Sequence, residues 1–292
     1  MTVLGALALS AVAASGPEIH GIVMPRSEVG PVDAVPLDTT GMGVSVREWG
    51  VSTPTPPLKL VEDRWQLANL VAFEHTFLAF DNPPSFVAAD HANLFRIQWA
   101  LVSLWTPSDR ATLVVLAQPG LYSDFGGALA GRDFGFVGML LGAWRFGEGF
   151  SAGLGGGYVQ LFGRPTLTPF LALDAEKGRL SVHVLAPREA EVWVRLADPA
   201  RLGAIGTMDG GFYLTHPDHP TYTDIFQEYS VLIAGPAAEL TVREKLALTL
   251  TGGWALRRQM ELYVDPDTLL VDFSAEPGLA FELQLALVLD KQ

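Results

Sequence analysis

The chain has 292 residues, of which 49% are hydrophobic and only 17% are charged, and its mean hydropathy is +0.27. Beyond the N-terminus, no segment approaches the roughly 18–20 consecutive apolar residues of a membrane-spanning helix, so the hydrophobicity lies in short pieces, as in strands. The net charge of −13 argues against a nucleic-acid partner, which clustered Lys and Arg would bind. The lack of Cys excludes disulfides and thiolate metal sites.

The N-terminus has the pattern of an export signal, with an apolar run from Val3 to Val12 followed by small residues. Ala11 and Ala13 fit the small-x-small cleavage pattern, which predicts a signal peptide over residues 1–13. No Lys or Arg precedes the apolar run, so a short buried segment is the alternative. Residues 14–42 contain several prolines and little periodicity. They are predicted to be a flexible leader, followed by a barrel over 43–292.

From Leu67 onward the chain divides into segments in which apolar residues recur at every second position, bounded by Gly, Pro, Asp or Asn. No segment has an apolar stripe with the 3.6-residue period of a helix. The pattern predicts an all-β chain of about 12 strands, within a range of 10–14. The predicted strands are 67–80, 93–105, 110–121, 133–146, 149–162, 166–174, 179–187, 190–197, 202–214, 229–243, 245–262 and 277–289.

The connections between these strands alternate in length. Tight turns such as "TPSD" and "AEKG" alternate with longer loops such as "DNPPSFVAADHA" and "THPDHPTYTDIFQE", although two of the expected long loops are short. This alternation is typical of a transmembrane antiparallel up-and-down β-barrel, whose turns face the periplasm and whose loops face outside. The predicted location is the bacterial outer membrane. An additional strand over 43–51 would break the simple parity of the prediction.

The last predicted strand shows how the two faces of such a barrel differ. In "FELQLALVL", Phe281 and the leucines occupy alternate positions, and Glu282 and Gln284 lie between them. In an outer-membrane barrel the apolar positions face lipid and the polar positions face the lumen. The same alternation predicts a set of lumen-facing charged residues: Arg96, His183, Glu191, Arg195, Glu239, Arg243, Arg257, Glu261 and Glu282.

Three stretches resemble a family of outer-membrane β-barrel proteins known only as a domain of unknown function. They are "VVLAQPGLYSDF" (114–125), "PTLTPFLALDAEKGRLSVHVLAPREAEVWV" (165–194) and "LALTLTGGWALRRQMEL" (246–262). The resemblance covers roughly residues 65–290. It implies the barrel fold and the outer-membrane location, and it brings no activity and no catalytic residues.

Other motifs predict no specific chemistry. "THPDHP" places His216 and His219 near Asp218, which a transition metal could use, but two prolines in a loop favour a solvated turn. "GLGGGY" lacks the Lys-Ser/Thr and the helix of a phosphate loop. Ser181 and His183 share a strand face without the third group of a hydrolase triad. The chain is therefore predicted to be no enzyme, with no catalytic residue, no metal ligand and no cofactor.

Carboxylates are concentrated in two predicted outer loops, 215–228 and 264–276, which contain no Lys or Arg. A solvated acidic surface is the favoured interpretation, and a site for divalent cations is the alternative. The expected partners are outer-membrane lipids and small solutes, with divalent cations at the acidic loops as a further candidate.

Four functions stay open at this point. A narrow pore or small-solute uptake barrel is favoured, because charged residues in a lumen can select solutes. A closed structural or surface-interaction barrel is the alternative, because opposite charges can instead cross-link its walls. A membrane-embedded lipid enzyme and a soluble periplasmic β-protein follow.

Overall fold

The computed structural model describes residues 15–29, 41–55, 57–61, 64–82, 91–216, 224–242, 246–265 and 267–288. No helix in these ranges is long and apolar enough to cross a membrane. They contain one 3-10 helix, Gly131–Asp133, and the following strands: β1 (Ser15–Glu28), β2 (Gly43–Pro54), β3 (Leu58–Val61), β4 (Trp65–Asp81), β5 (His91–Trp105), β6 (Ala111–Ser123), β7 (Phe134–Gly147), β8 (Phe150–Val159), β9 (Thr166–Lys177), β10 (Leu180–Ala186), β11 (Glu189–Ala197), β12 (Ala200–Thr215), β13 (Ile225–Val242), β14 (Leu246–Asp265), β15 (Thr268–Ala275) and β16 (Gly278–Val288).

The strands form one closed antiparallel barrel of fourteen strands. From β4 to β14 each strand pairs with the next, and β2 pairs with both β1 and β4. β16 pairs with both β14 and β1, which closes the ring. The other two strands extend this ring: β3 pairs with the periplasmic start of β4, and β15 pairs with the far end of β14.

All twelve predicted strands are present, but the predicted number is low because β1 and β2 also belong to the barrel. β1 lies within the predicted flexible leader, so that prediction is wrong for Ser15–Glu28. Its alternation was hidden by Pro17 and Pro25, which lie at the two register shifts of β1, where a strand tolerates proline. Because two strands are added rather than one, the number of strands stays even, and the alternation of periplasmic turns and extracellular loops is unchanged. The predicted signal peptide, 1–13, lies outside the described residues.

The outer face of the barrel is apolar over the height of a bilayer. Trp65 and Trp105 are cross-strand partners at the periplasmic edge, and both are exposed. At the opposite edge, His75 stacks on Phe95 with ring centroids 4.6 Å apart. Trp65 and His75 are about ten residues apart on β4, the length of tilted strand that crosses a membrane. Exposed aliphatic side chains lie between these aromatic belts, so the barrel is a transmembrane one.

The barrel narrows toward its extracellular end. The β10–β11 turn lies beside β12, where the Met208 amide donates to the Arg188 carbonyl at 2.7 Å, and β12 continues beyond this point to Thr215. There β12 meets β6 in a parallel contact between Leu214 and Ser123. The extracellular ends of nine strands therefore form a second, smaller ring, which we call the collar: β1, β2, β4, β5, β6, β12, β13, β14 and β15.

Side chains fill the inside of the collar. A barrel of about eight strands has an interior just wide enough to be filled in this way, whereas wider rings leave a lumen. One continuous apolar cluster joins β1 and β2 to β13, β14 and β15 across the ring, and the Phe80 and Phe273 rings meet edge to face with centroids 6.4 Å apart. A cavity between Val44, Tyr229 and Phe273 has a volume of about 10 Å³, which is at the lower limit for one water molecule.

Gly210 on β12 tests how the collar is closed. A Cβ atom there would lie 2.6–2.9 Å from backbone atoms of Gln160, Leu161 and Gly163 in the β8–β9 connection. We expect Gly210→Ala to destabilise the barrel by about 1–3 kcal/mol, because backbone atoms cannot move aside cheaply. The thermal unfolding midpoint in detergent measures this effect.

Gly206→Ala is the matched control, because Gly206 lies on the same face of β12 as Gly210. A Cβ atom at Gly206 would have its nearest neighbouring atoms at 3.9 and 4.0 Å, which is ordinary contact. Equal midpoints for the two variants would contradict the close contact between β12 and the β8–β9 connection.

Candidate luminal site

One arginine links opposite walls of the barrel just below the collar. The side chain of Arg96, on β5, is buried, and its Nε donates to Glu74 Oε2 on the neighbouring β4 at 2.6 Å. Its Nη1 and Nη2 donate to the two carboxylate oxygens of Asp209 on β12, at 3.2 and 2.7 Å. A bidentate pair of this kind combines charge with fixed geometry. β5 and β12 are not neighbours in the fourteen-strand ring, so the pair joins two separate parts of the wall at the point where β6 and β12 converge.

Two tyrosines pack beside this cross-link. The Gln98 amide donates to the Tyr122 hydroxyl at 2.6 Å, and the rings of Tyr122 and Tyr213 meet edge to face with centroids 5.9 Å apart. A Cβ atom at Gly135 would lie 2.8 Å from the Tyr122 ring, so this glycine leaves room for the tyrosine. Aromatic rings and the Arg96 ion pair together occupy the passage between β5, β6 and β12.

A second polar group lies on the β1–β2–β4 wall at a similar height. Glu48 on β2 accepts a hydrogen bond from the Thr76 hydroxyl at 3.0 Å, and its carboxylate lies 3.7 Å from His20 Nε2 on β1. His20, Glu48 and Glu74 can each offer one ligand atom, with all three atoms within 4.8 Å of one another. This group shares Glu74 with the Arg96 cross-link.

The periplasmic half of the lumen contains further polar pairs. His183 lies between two carboxylates, with Nδ1 2.7 Å from Asp174 and Nε2 3.0 Å from Glu189. Arg201 donates from Nε to Glu239 at 2.7 Å and lies over the Trp193 ring, 4.3 Å from its centroid. These side chains line the wall from β9 to β13. The opposite wall, on β4 to β9, is apolar and contains Ala68, Leu104, Val114, Leu141 and Phe170.

The register places most of the predicted luminal residues on the inner face. Arg96, His183, Glu191, Glu239 and Glu282 all lie there, in register with inner-face partners on adjacent strands. Arg195 shares the inner-face register with Arg201, and its side chain is exposed near the periplasmic end. Arg243 lies outside the described residues. Their roles in selecting solutes stay predictions.

The prediction is wrong for Arg257 and Glu261. The register of β14 shifts between Leu232 and Ile233 of its partner β13, because Leu256 is an extra residue in the ladder. Beyond this bulge every side chain changes face. Arg257 and Glu261 therefore lie on the outer face, above the apolar band, and Gln259 lies between them and bonds to both.

Arg258 takes the inner position instead. It is buried inside the collar, where it donates to the Ser27 hydroxyl and, at 2.9 Å, to the Glu276 carbonyl.

Several polar residues of the lumen were not predicted. Glu74 and Asp209 lie within predicted strands, and their position on the inner face follows from the alternation, which could have identified them. His20 and Glu48 lie on strands that the sequence analysis did not assign. Arg201 lies one residue before a predicted strand, so its pairing with Glu239 was missed.

Three extracellular carboxylates, those of Asp124, Asp224 and Glu228, pair with basic side chains of the chain itself. His216 is held by Asp124, whose carboxylate lies 2.8 Å from its Nδ1, whereas Asp218 and His219 lie outside the described residues. Asp224 pairs with Arg132, and Glu228 pairs with Arg164 at 3.2 Å. Divalent-cation binding at the acidic loops stays a prediction.

The model of a family described as a domain of unknown function, DUF6268, matches residues 68–285. The chain belongs to this family. The resemblance drawn from the three sequence stretches is therefore confirmed. No curated protein matches the sequence.

The fold is similar to that of several solved outer-membrane proteins. An outer membrane channel from Pseudomonas putida F1 is 9% identical, with 95% of this chain and 96% of that chain covered and a TM-score of 0.47. The TodX monoaromatic hydrocarbon channel is 10% identical, with 96% and 92% covered and a TM-score of 0.48. The NanC porin is 8% identical, with 94% and 100% covered and a TM-score of 0.35. These similarities concern the fold alone.

The closed ring and its apolar outer band identify this member of the family as an outer-membrane barrel. Backbone groups that face lipid must be paired within the protein, and a closed sheet meets this requirement without a free edge.

Because the sequence has no Cys, single cysteines can test the bulge in β14. We expect a water-soluble maleimide to modify Arg257→Cys at least about tenfold faster than Arg258→Cys, because thiol reactivity follows exposure. Mass spectrometry over time measures both rates in the folded barrel. Without the bulge, position 257 would face inward and position 258 outward, and the order of the two rates would be reversed. Faster modification at position 258 would therefore show that the bulge is absent.

Proposed function

We propose that the chain is a small-solute uptake barrel that prefers cations and is gated at its extracellular end. The observation that carries the proposal is the Arg96 cross-link, which joins β4 and β5 to β12 where the wide ring meets the collar. A solute entering through the collar must pass this ion pair. A wall that was only structural would not need a buried ion pair there, since apolar packing stabilises a closed barrel at least as well.

The charge of the inner face supports a preference for cations. Carboxylates outnumber guanidinium groups on the inner face of the described strands, which gives the lumen a negative potential that concentrates cations. The carboxylates are Glu18, Glu48, Glu74, Asp174, Glu176, Glu189, Glu191, Asp209, Glu239 and Glu282, and the guanidinium groups are those of Arg96, Arg145, Arg195, Arg201 and Arg258.

The filled collar favours a second candidate, a closed structural barrel. In that case the cross-link and the apolar cluster form one permanent seal. A membrane-embedded enzyme has less support, because His183, which lies two residues from Ser181 on the same strand, has a carboxylate at each of its ring nitrogens. The proposed uptake role and the closed barrel differ in what happens when the cross-link is broken.

Asp209→Asn tests the gate. The substitution removes the charge that holds Arg96 to β12, so we expect the refolded protein to show openings in a planar lipid bilayer about tenfold more often than the parent chain, which corresponds to roughly 1.4 kcal/mol. Single-channel recording in KCl measures the open probability.

Glu239→Gln is the matched control, because it also removes a carboxylate from an arginine pair, but Arg201 and Glu239 are cross-strand neighbours on β12 and β13. It should leave the open probability unchanged. Silence from both the parent chain and Asp209→Asn, with folding intact, would favour the closed structural barrel.

Selectivity can be tested separately on channels that open. Arg201→Gln leaves the Glu239 carboxylate uncompensated in the lumen, so we expect the ratio of cation to anion permeability to rise about twofold. The reversal potential in a KCl gradient measures this ratio. Arg257→Gln removes the same charge from the outer face and should have no effect. A change of similar size in both variants would contradict selection by the luminal wall.

A further inference from the structure

We propose that His20, Glu48 and Glu74 bind one divalent transition-metal ion on the luminal wall below the collar. No metal site was predicted from the sequence, in which the three residues are far apart and His20 falls in the predicted leader. The site is independent of the proposed uptake function, because a closed barrel could bind the same ion.

The register of three adjacent strands brings the ligands together. His20 on β1 lies opposite Gly50 on β2, and Gly50 lies opposite Glu74 on β4. Glu48 is two residues from Gly50 and therefore shares its face of β2. The three side chains converge from three strands, with one potential ligand atom from each and all three atoms within 4.8 Å of one another.

Gly50 provides the space in which the side chains meet. A Cβ atom at this position would lie 2.4 Å from His20 Cε1 and 2.8 Å from Glu74 Cγ. Any other residue would therefore push the imidazole and the carboxylate apart. Three side chains can converge on one point of a strand face only if the residue between them has no side chain, as is the case at Gly50.

The distances suit a metal better than direct hydrogen bonding. His20 Nε2 and Glu48 Oε1 are 3.7 Å apart, which is beyond the 2.7–3.2 Å of a hydrogen bond. Imidazole nitrogen and carboxylate oxygen each bind Zn²⁺ at about 2.0–2.2 Å, so two ligands on one ion are separated by roughly 3.3 Å in tetrahedral geometry. A small movement of the side chains would place both on one ion.

Neighbouring groups already orient the two carboxylates. Thr76 donates to Glu48 Oε2 and leaves Glu48 Oε1 directed toward His20. Arg96 donates to Glu74 Oε2 and leaves the other oxygen of Glu74 available. Hydrogen bonds of this kind, made to the ligands rather than to the ion, fix the orientation of ligands in metal sites.

The local charge favours a divalent cation. Glu48, Glu74 and Asp209 carry three negative charges and Arg96 carries one positive charge, so the connected group has a net charge of −2 when His20 is neutral. One divalent ion would neutralise it. A set of one imidazole and two carboxylates suits Zn²⁺, Mn²⁺ or Co²⁺ better than Ca²⁺, which prefers oxygen ligands alone.

Titration of the refolded full-length barrel in detergent tests the site, with Co²⁺ as the spectroscopic probe and Zn²⁺ as its competitor. We expect one equivalent of Co²⁺ to give a visible absorption band that Zn²⁺ abolishes. His20→Gln and Glu48→Gln should each weaken the affinity by about 10- to 100-fold. The same experiment on His183→Gln, the other luminal imidazole between two carboxylates, should give the affinity of the parent chain.

The proposal would be overturned by any of three results: no saturable binding by the parent chain, equal affinity in Glu48→Gln, or loss of the signal in His183→Gln. If the variants fold poorly, X-ray absorption of the zinc-loaded parent chain decides. One imidazole with oxygen ligands supports the site, and a spectrum without imidazole contradicts it.

Discussion

The architecture depends on the hydrogen bonds between β1 and β16, because they close the ring. Without β1, the edges of β2 and β16 would expose unpaired amides and carbonyls to lipid, at several kilocalories per mole for each group. The pairing from Val23–Phe281 down to Ser15–Val288 prevents this. The segment that composition marks as a proline-containing leader is therefore indispensable to the wall. Its two prolines are accommodated because each lies at a register shift.

The barrel closes twice, as a ring of fourteen strands in the membrane and as the nine-strand collar above it. This explains why the interior of the membrane part differs from that of the collar. In the membrane the ring has fourteen strands, more than the roughly eight whose interior side chains alone fill, and polar pairs such as His183 with Asp174 lie on its inner wall. In the collar, the contact between β6 and β12 removes β7 to β11 from the ring, and the narrower interior is packed with apolar side chains. The Arg96 cross-link lies at the transition between the halves. There the ring is narrow enough for one arginine to reach the opposite wall.

The alternation of apolar and polar residues predicts which face of a strand each side chain occupies, as long as the two-residue period continues. The prediction fails where an extra residue interrupts that period. Twelve strands and the inner-face position of six of the nine predicted luminal residues follow from the rule that every second residue shares a face. Arg257 and Glu261 were misplaced because a single extra residue, Leu256, inverts the faces of the rest of β14. Nothing in "WALRRQMEL" marks that bulge, since Arg257 and Arg258 are chemically equivalent. The partner of Arg96 was beyond prediction for another reason: Asp209 is 113 residues away, on a strand that is not its neighbour in the ring.

Glu74 belongs both to the Arg96 cross-link and to the group of His20 and Glu48, so these two features of the lumen are physically coupled. Its carboxylate accepts from Arg96 on one side and faces His20 and Glu48 on the other. A cation held by His20, Glu48 and Glu74 would compete with Arg96 for the charge of Glu74, and the repulsion between the ion and the guanidinium would push Arg96 toward Asp209. An ion at this site would thus strengthen the half of the cross-link that spans the lumen. Without the ion, Glu74 and Asp209 share the arginine, as the hydrogen bonds from Arg96 to both carboxylates show.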